Sequence, residues 1–455
     1  MSNQKFSEKQ FVFFTLNYIM GFGFITTISS LISLRYFGII IFALTAIITF
    51  AVALVFSRLG NIYKNEYGGS YLYAKKVFKK RFSFFIGWNQ FIQGPILAAT
   101  SPLFIASAIE TITNDASAIL VIRIISIFIF IILVFVSTLG INLNKKIIFV
   151  FSFVKWAILL LGVAIIIYLS FKELNFANNL TNPNNVSVYL IFSNVLSFMY
   201  AFGGIEDVSA MIKDVKVKNF RKIIMIVFVV IISFYFLIFI LLNGLRDLDL
   251  IANTNFSTIY NLVFGFSGVI IFAVGLLFNG IASKISISIS SSRKIVVLAN
   301  DGYLPHFLTK TNKRGEYKNA ILFAAFLTII SMLIFWLIPL LLNLSNFFSS
   351  VIEIGTMAFL IQYMLTLFTA IVMHFKKKIN PIPYWEMIIY TIAIMIIFLT
   401  LLIFLIPNIT LQNWTAKNTI VLASYFIFIG IGYLLYLSKK MYSNKKKEVN
   451  TIKNI

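Results

Sequence analysis

The sequence has no cysteine, two histidines and only 15 acidic residues against 38 basic ones in 455 residues. The missing cysteines exclude disulfides, thiolate metal sites and a lipid-modified cysteine. With only His306 and His374, no HExxH and no paired-carboxylate motif, nothing is supplied for acid–base, nucleophilic or metal chemistry. The chain is therefore expected not to be an enzyme, and no catalytic residue, metal or cofactor is assigned. A net charge of +23 would suggest nucleic acid in a soluble chain, but its distribution gives another answer.

What is present in excess is apolar sequence. Sixty per cent of the residues are hydrophobic and the mean hydropathy is +0.94, against roughly 45–50% apolar content in soluble domains. Apolar runs long enough to cross a bilayer fall near residues 11–34, 37–57, 82–110, 120–141, 148–170, 187–212, 223–245, 259–290, 319–342, 351–375, 386–406 and 419–438. About 20 residues at 1.5 Å each span a core of roughly 30 Å. The expected fold class is an all-α polytopic membrane protein with about 12 transmembrane helices. The opening MSNQKFSEKQ runs into the first span without a small-residue cleavage site, so it is expected to be retained.

With the N-terminus inside, 31 of the 38 Lys and Arg lie in the tails and loops on that side. Arg35, Lys172, Arg246 and Lys417 lie outside, and Arg123, Lys155 and Lys284 fall within spans. The positive-inside rule then puts both termini in the cytoplasm and supports an even span count. The basic excess is topological, with anionic lipid headgroups as neighbours and no nucleic-acid partner. The basic tail KKKEVNTIK is read the same way, with specific lipid binding as the alternative.

Two spans carry glycines near their middles: MGFGFITT in the first and YAFGGIED in the sixth. Glycine in a membrane helix often serves close packing, with small residues four apart on one face. Gly21 and Gly23 are two apart and point about 200° from each other, so packing against one neighbour does not account for both. The five-span offset makes the two segments run in opposite directions, the pattern of an inverted repeat with discontinuous helices meeting at the bilayer midplane. Unwound backbone persists in hydrocarbon only where it lines a cavity or meets a ligand. After a break at Gly21 to Phe24 the second half-helix offers free N–H groups that suit a carboxylate. The first half of the sixth span, ending near Tyr200 and Ala201, offers carbonyls that suit an ammonium. An α-amino acid carries both groups.

These segments resemble the amino acid-polyamine-organocation transporters. GFGFI is similar to the family's GSGIF-type motif, and SFMYAFGGIEDVSAMIKDVKVKNFRK to its span 6 signature. EYGGSYLYAKKVFKKRFSFFIGW resembles the segment between spans 2 and 3, and SSRKIVVLANDGYLPHFLTKTNKRGEYKNAIL the segment joining spans 8 and 9. The resemblance covers roughly residues 10 to 380. It implies a LeuT-type 5+5 inverted repeat in residues 1–375, with repeat one about 11–170 and repeat two about 187–375. Peripheral helices 11 and 12 and a basic tail would fill 376–455. It also implies secondary transport of amino acids or related amines across the cytoplasmic membrane; the composition, with 50 Phe and 8 Pro and abundant Ile, Asn and Lys, suggests an AT-rich bacterium. The sequence departs from the pattern in lacking a hydroxyl residue between the first glycines and in reading KVKNF after span 6.

The implied substrate-binding residues are Gly21, Phe22, Gly23, Phe24, Ile25, Tyr200, Ala201, Phe202 and Gly203. Phe202 would cover the substrate or pack in the core, Met199 would help line the side-chain pocket, and Thr26, Thr27, Ser29 and Ser30 would extend a polar path outward. Charges inside spans need an account, at roughly 2.5–3.5 kcal/mol each. Lys155 either snorkels to the interface or places its ammonium where other members hold a sodium ion, as in proton-coupled members. Lys284 either adds a second cation there or pairs with a carboxylate. Glu206 either offsets the dipole of the second half-helix or, as the resemblance implies, links the broken helix to its neighbours. Asp207 shares the dipole role and would favour cationic substrates. Glu353 and Arg123 read as interfacial. Proton-coupled uptake is the preferred mechanism, with exchange, polyamine import and, more distantly, a channel as alternatives.

Overall fold

The computed structural model describes residues 5–100, 115–181, 186–246, 256–337 and 347–453. Among them every regular element is helical, apart from an isolated parallel bridge between Phe6 and Val215. Helices are the open-ended structures that satisfy all backbone N–H and C=O groups within one segment, which hydrocarbon requires. Several begin at polar caps: Ser7 and Gln10 form a reciprocal capping box, and Ser187 and Asn219 accept from the backbone N–H groups of Leu190 and Lys222.

In chain order the principal helices are α1 (Glu8–Ile19), α2 (Phe22–Ile32), α3 (Tyr36–Ile62), α4 (Ser70–Ala74), α5 (Lys80–Ala98), α6 (Ala116–Ser137), α7 (Ile141–Glu173), α8 (Phe176–Thr181) and α9 (Val188–Phe198). They continue as α10 (Ile205–Ala210), α11 (Phe220–Leu242), α12 (Ser257–Phe264), α13 (Phe266–Asn300), α14 (Lys318–Met332), α15 (Phe347–Phe375), α16 (Tyr384–Leu405) and α17 (Ala416–Lys453). Eight helices among the described residues are long and apolar enough to cross a membrane. α13 packs against α5, α6, α7, α12 and α14, while α15 packs against α5, α16 and α17. Outward-facing Phe128, Phe153 and Phe171 are more than half exposed, an apolar surface that hydrocarbon covers without cost.

Three of the expected spans are not continuous helices. The run expected at 11–34 is two helices, and the run at 187–212 is interrupted between Phe198 and Ile205. The run at 259–290 divides at Gly265, after which α13 continues through 35 residues. At 1.5 Å per residue that is roughly 50 Å, so α13 projects well beyond a hydrocarbon core and carries Arg293 and Lys294 past it. The outer part of the 82–110 run and of the 319–342 run lies outside the described residues.

The two ends of the bundle separate as the charge pattern anticipates. At one end the backbone of Phe6 pairs with Asp214 and Lys216, and Arg293 pairs with Asp214 and Glu316. At the same end Asn312 donates to the Thr138 carbonyl and Lys376 to that of Val77. The segment at Phe6 and the connections that carry Val77, Thr138, Asp214, Asn312 and Lys376 therefore lie toward one end. At the other end Asn179 donates to the carbonyls of Asn243 and Leu245, and Lys417 pairs with Glu353 at 2.6 Å. Glu353, read as interfacial, is 3% exposed there.

Glu386 ties α16 to α3 and α11. It is fully buried and accepts from Arg58 Nε at 2.9 Å and Nη2 at 2.8 Å, from Arg221 at 2.5 Å and from Tyr390 at 3.2 Å. Replacing Glu386 by Ala strands two guanidinium groups and is expected to cost roughly 3 kcal/mol, the low end for a broken buried pair because both arginines keep some solvent. Thermal unfolding of the purified protein in detergent measures this, and Glu386→Gln should lose less.

Candidate substrate site

The first interruption is short. α1 ends at Ile19, the Met20 backbone leaves helical geometry at φ −79°, ψ 88°, and α2 restarts at Phe22. Gly23 therefore lies in the first turn of α2, one step beyond the expected centre of the break. A Cβ at Gly21 would sit 3.2 Å from Asn279 Oδ1, a tight fit that brings the break close to α13.

The carbonyl end of α1 is held by a cation. Lys155 on α7, fully buried, donates from Nζ to the carbonyls of Asn17 at 2.9 Å and Met20 at 2.8 Å. Its ammonium also lies 5.6 Å from the centre of the neighbouring Trp156 ring. This position excludes snorkelling toward water.

The second interruption is longer. After α9 a 3-10 turn covers Met199–Phe202, Gly203 is extended, and Gly204 takes φ 128° before α10 begins. Only glycine adopts that φ without strain, and a Cβ at Gly204 would sit 2.7 Å from the Tyr18 ring. Two carbonyls expected to be free already accept hydrogen bonds, that of Ala201 from the Tyr235 hydroxyl at 2.9 Å and that of Tyr200 from Gly203 N–H at 3.3 Å. A carbonyl has two acceptor positions, so each retains one.

Glu206 and Asp207 support this break from below. Glu206 Oε1 accepts from Gly204 N–H at 2.9 Å and Oε2 from the Tyr363 hydroxyl at 2.7 Å, which joins the break to α15. Asp207 accepts from the Tyr18 hydroxyl through one oxygen and from Lys294 at 2.6 Å through the other. Its charge is thus matched within the protein. One residue along, Arg293, 1% exposed, bridges Asp214 at 3.0 Å and Glu316 at 2.6 Å, and Tyr67 also donates to Asp214. Burial pushes the Glu316 carboxyl above its ordinary value while Arg293 pulls it down.

Both interruptions open on one cavity of about 110 Å³, lined by Tyr18, Ile19, Gly21, Phe24, Gln93, Gly94, Leu97, Thr100, Tyr200, Gly203, Gly204, Glu206, Asp207, Asn279, Gly280, Ser283, Ile287 and Phe359. One water needs only about 10–15 Å³ by this measure. The cavity thus gathers Gly21, Phe24, Tyr200, Gly203, Glu206 and Asp207 from the sequence expectations. Phe24 also stacks on Tyr235, with ring centres 3.9 Å apart.

Other expected residues are not among those lining the cavity. Phe202, 1% exposed, packs on Phe198 and Tyr235, and Met199, Ala201 and Ile25 are buried beside it. The side chains of Phe22, Thr26, Ser29, Ser30 and Arg123, and the side-chain position of Gly23, lie outside the described set; Thr27 donates to the Phe24 carbonyl at 3.1 Å. Lys284 is 2% exposed with its ammonium 3.9 Å from the Phe130 ring centre. No carboxylate pairs with it among the described residues, and it faces Phe130 of α6, while Lys155 is the residue that donates to the Asn17 and Met20 carbonyls.

Sequence reasoning missed Tyr18, Gln93, Asn279, Tyr235, Tyr363 and Lys294. Gln93 and Asn279 carried a signal, as amides inside otherwise apolar runs. The three tyrosines carried none, because an aromatic in a span reads as packing.

A family model described as "Amino acid permease" matches residues 6–433. The chain is also similar to "Uncharacterized protein MG225" of Mycoplasma genitalium, at 38% identity over 98% of this chain and 97% of that protein. It is 34% identical to "Uncharacterized protein MG226" of the same organism, over 98% and 97% of the two chains. The "Uncharacterized protein MG226 homolog" of Mycoplasma pneumoniae is 30% identical, over 96% and 95%.

The Lys294–Asp207 pair should dominate the stability of the region beneath the cavity. Lys294→Ala leaves a buried carboxylate without its cation and is expected to cost roughly 3–5 kcal/mol. The double variant Lys294→Ala with Asp207→Asn should recover part of that loss, and non-additive thermal unfolding in detergent measures the coupling.

Proposed function

Because the chain belongs to the amino acid permease family, we propose that it is a secondary transporter that takes up amino acids by alternating access, coupled to protons. The observation that carries the reading is the single cavity onto which both interrupted helices open. The substrate carboxylate meets the N-terminus of α2, where the helix dipole is positive. The substrate ammonium meets the end of α9 and its 3-10 extension, with Tyr200 foremost, on the side where Glu206 and Asp207 line the cavity. The two helices belong to repeats of opposite orientation in a 12-span chain, so that rocking one bundle against the other exposes the cavity alternately.

The ammonium of Lys155 serves as the coupling cation. It bonds the carbonyls of Asn17 and Met20, a place where backbone oxygens would otherwise need a metal ion. Loss of its proton removes the positive charge from the broken helix and weakens its tie to α7. A lysine in a dry site is able to release a proton that it holds in water. With this geometry a proton gradient replaces a sodium gradient as the driving force. The basic end of the bundle then faces the cytoplasm.

Two experiments test the reading. Gly21→Leu fills the cavity at the break and should abolish amino acid uptake and ligand-induced thermal stabilisation while the protein still inserts; retained uptake defeats the site assignment. In proteoliposomes, amino acid accumulation should depend on a pH gradient and be indifferent to sodium. Lys155→Met should still bind amino acid but fail to accumulate it, and equal accumulation with and without the gradient removes proton coupling.

A further inference from the structure

The cavity contains two oxygens that the protein leaves without partners. Asn279 Oδ1 on α13 and Gln93 Oε1 on α5 are both buried and accept no hydrogen bond, and both residues line the cavity. Gln93 is 1% exposed and its Nε2 donates to the Ala358 carbonyl at 3.0 Å, which fixes the amide and leaves Oε1 as its unused end. Asn279 Oδ1 lies over the first break, at 3.2 Å from where a Gly21 Cβ would stand. A buried acceptor without a donor loses its hydration and gains nothing in return, so two in one cavity mark a place that a ligand completes.

The charge of the cavity selects further. Glu206 and Asp207 line it, while no lysine or arginine is among the described residues that do. The cation bound to Asp207 is Lys294, and Glu206 is held by neutral donors, Gly204 N–H and the Tyr363 hydroxyl. A ligand carrying a second carboxylate finds no counter-charge there. An aliphatic ligand leaves both amide oxygens unsatisfied, and sites built to hydrogen-bond a ligand reject the analogue that lacks the group.

We propose that the cavity selects amino acids whose side chains end in N–H donors, carboxamide, guanidinium, ammonium or imidazole, with Asn279 and Gln93 accepting those hydrogens. This rests on the permease reading above, which places the shared carboxylate and ammonium at the two breaks. Asn279 and Gln93 are then the specificity-determining residues, and the half-helices supply affinity that all amino acids share.

The test uses the full chain, purified and reconstituted, with glutamine, asparagine, lysine, arginine and histidine set against leucine, methionine and glutamate. At least one donor-bearing amino acid should bind, by thermal stabilisation and competition for uptake, about tenfold or more tightly than the other three. Asn279→Leu should narrow that preference to within about threefold, a loss of roughly 0.7 kcal/mol or more of discrimination. Gln93→Met provides the same reading if the first variant does not fold. Leucine, methionine or glutamate binding as tightly as every donor-bearing amino acid overturns this inference and leaves the permease reading standing. An unchanged preference in both variants also overturns it. Failure of all eight to bind overturns both.

Discussion

Hydrocarbon cannot hydrogen-bond a peptide group, and two helix interruptions of this chain open on one cavity inside the bundle. Each interruption is repaired by a specific side chain from a neighbouring helix. Lys155 on α7 takes up the carbonyls at the end of α1. Tyr235 on α11 donates to Ala201 at 2.9 Å and, more distantly at 3.4 Å, to Ile19, so one hydroxyl spans both breaks. Glu206 closes back on Gly204 N–H and is steadied by Tyr363 of α15. The helices around the cavity are positioned by these repairs. What the repairs leave open, chiefly the amide oxygens of Gln93 and Asn279, lies against the cavity.

Beneath the cavity, two adjacent residues of α13 organise the basic end of the bundle. Lys294 points to Asp207, which also accepts from Tyr18 of the other interrupted segment, and Arg293 points to Asp214, Glu316 and the ring of Tyr317. Tyr67 and Tyr71 extend the network to the segment between α3 and α5 through Asp214 and Asp301. These charges are buried, and desolvation makes them costly unless all are matched. Parting α13 from the segments at this end would break several of these pairs together.

The fold class was legible because membrane burial writes itself into composition. Long apolar runs, basic loops on alternate sides and glycines at matching places in two spans each follow from a physical rule that acts along the chain. The glycine breaks were readable to within a residue or two, and so was the deep placement of Lys155 as one of two alternatives. Asp207 was read as an influence on the substrate because its partner, 87 residues away on α13, has no local mark in the sequence. Lys284 was grouped with the coupling site because the resemblance puts residues of a sodium site nearby, yet its position on α13 turns it toward Phe130. Arg293 and Lys294 read as loop charges because the apolar pattern stops before the helix does.

By itself the sequence determined that the chain is helical, crosses a membrane repeatedly, gathers its basic loops at one end and is interrupted where Gly21 and Gly204 lie. Those properties depend on solvent, charge and backbone freedom, which each residue carries wherever it sits. Only the tertiary structure decided which charges neutralise each other, that Ala201 rather than a ligand satisfies Tyr235, and that Gln93 and Asn279 from distant helices point unpaired atoms at one cavity. Those facts depend on the rotation of each helix about its axis. A turn of 100° separates Ser283, which lines the cavity, from Lys284, which does not.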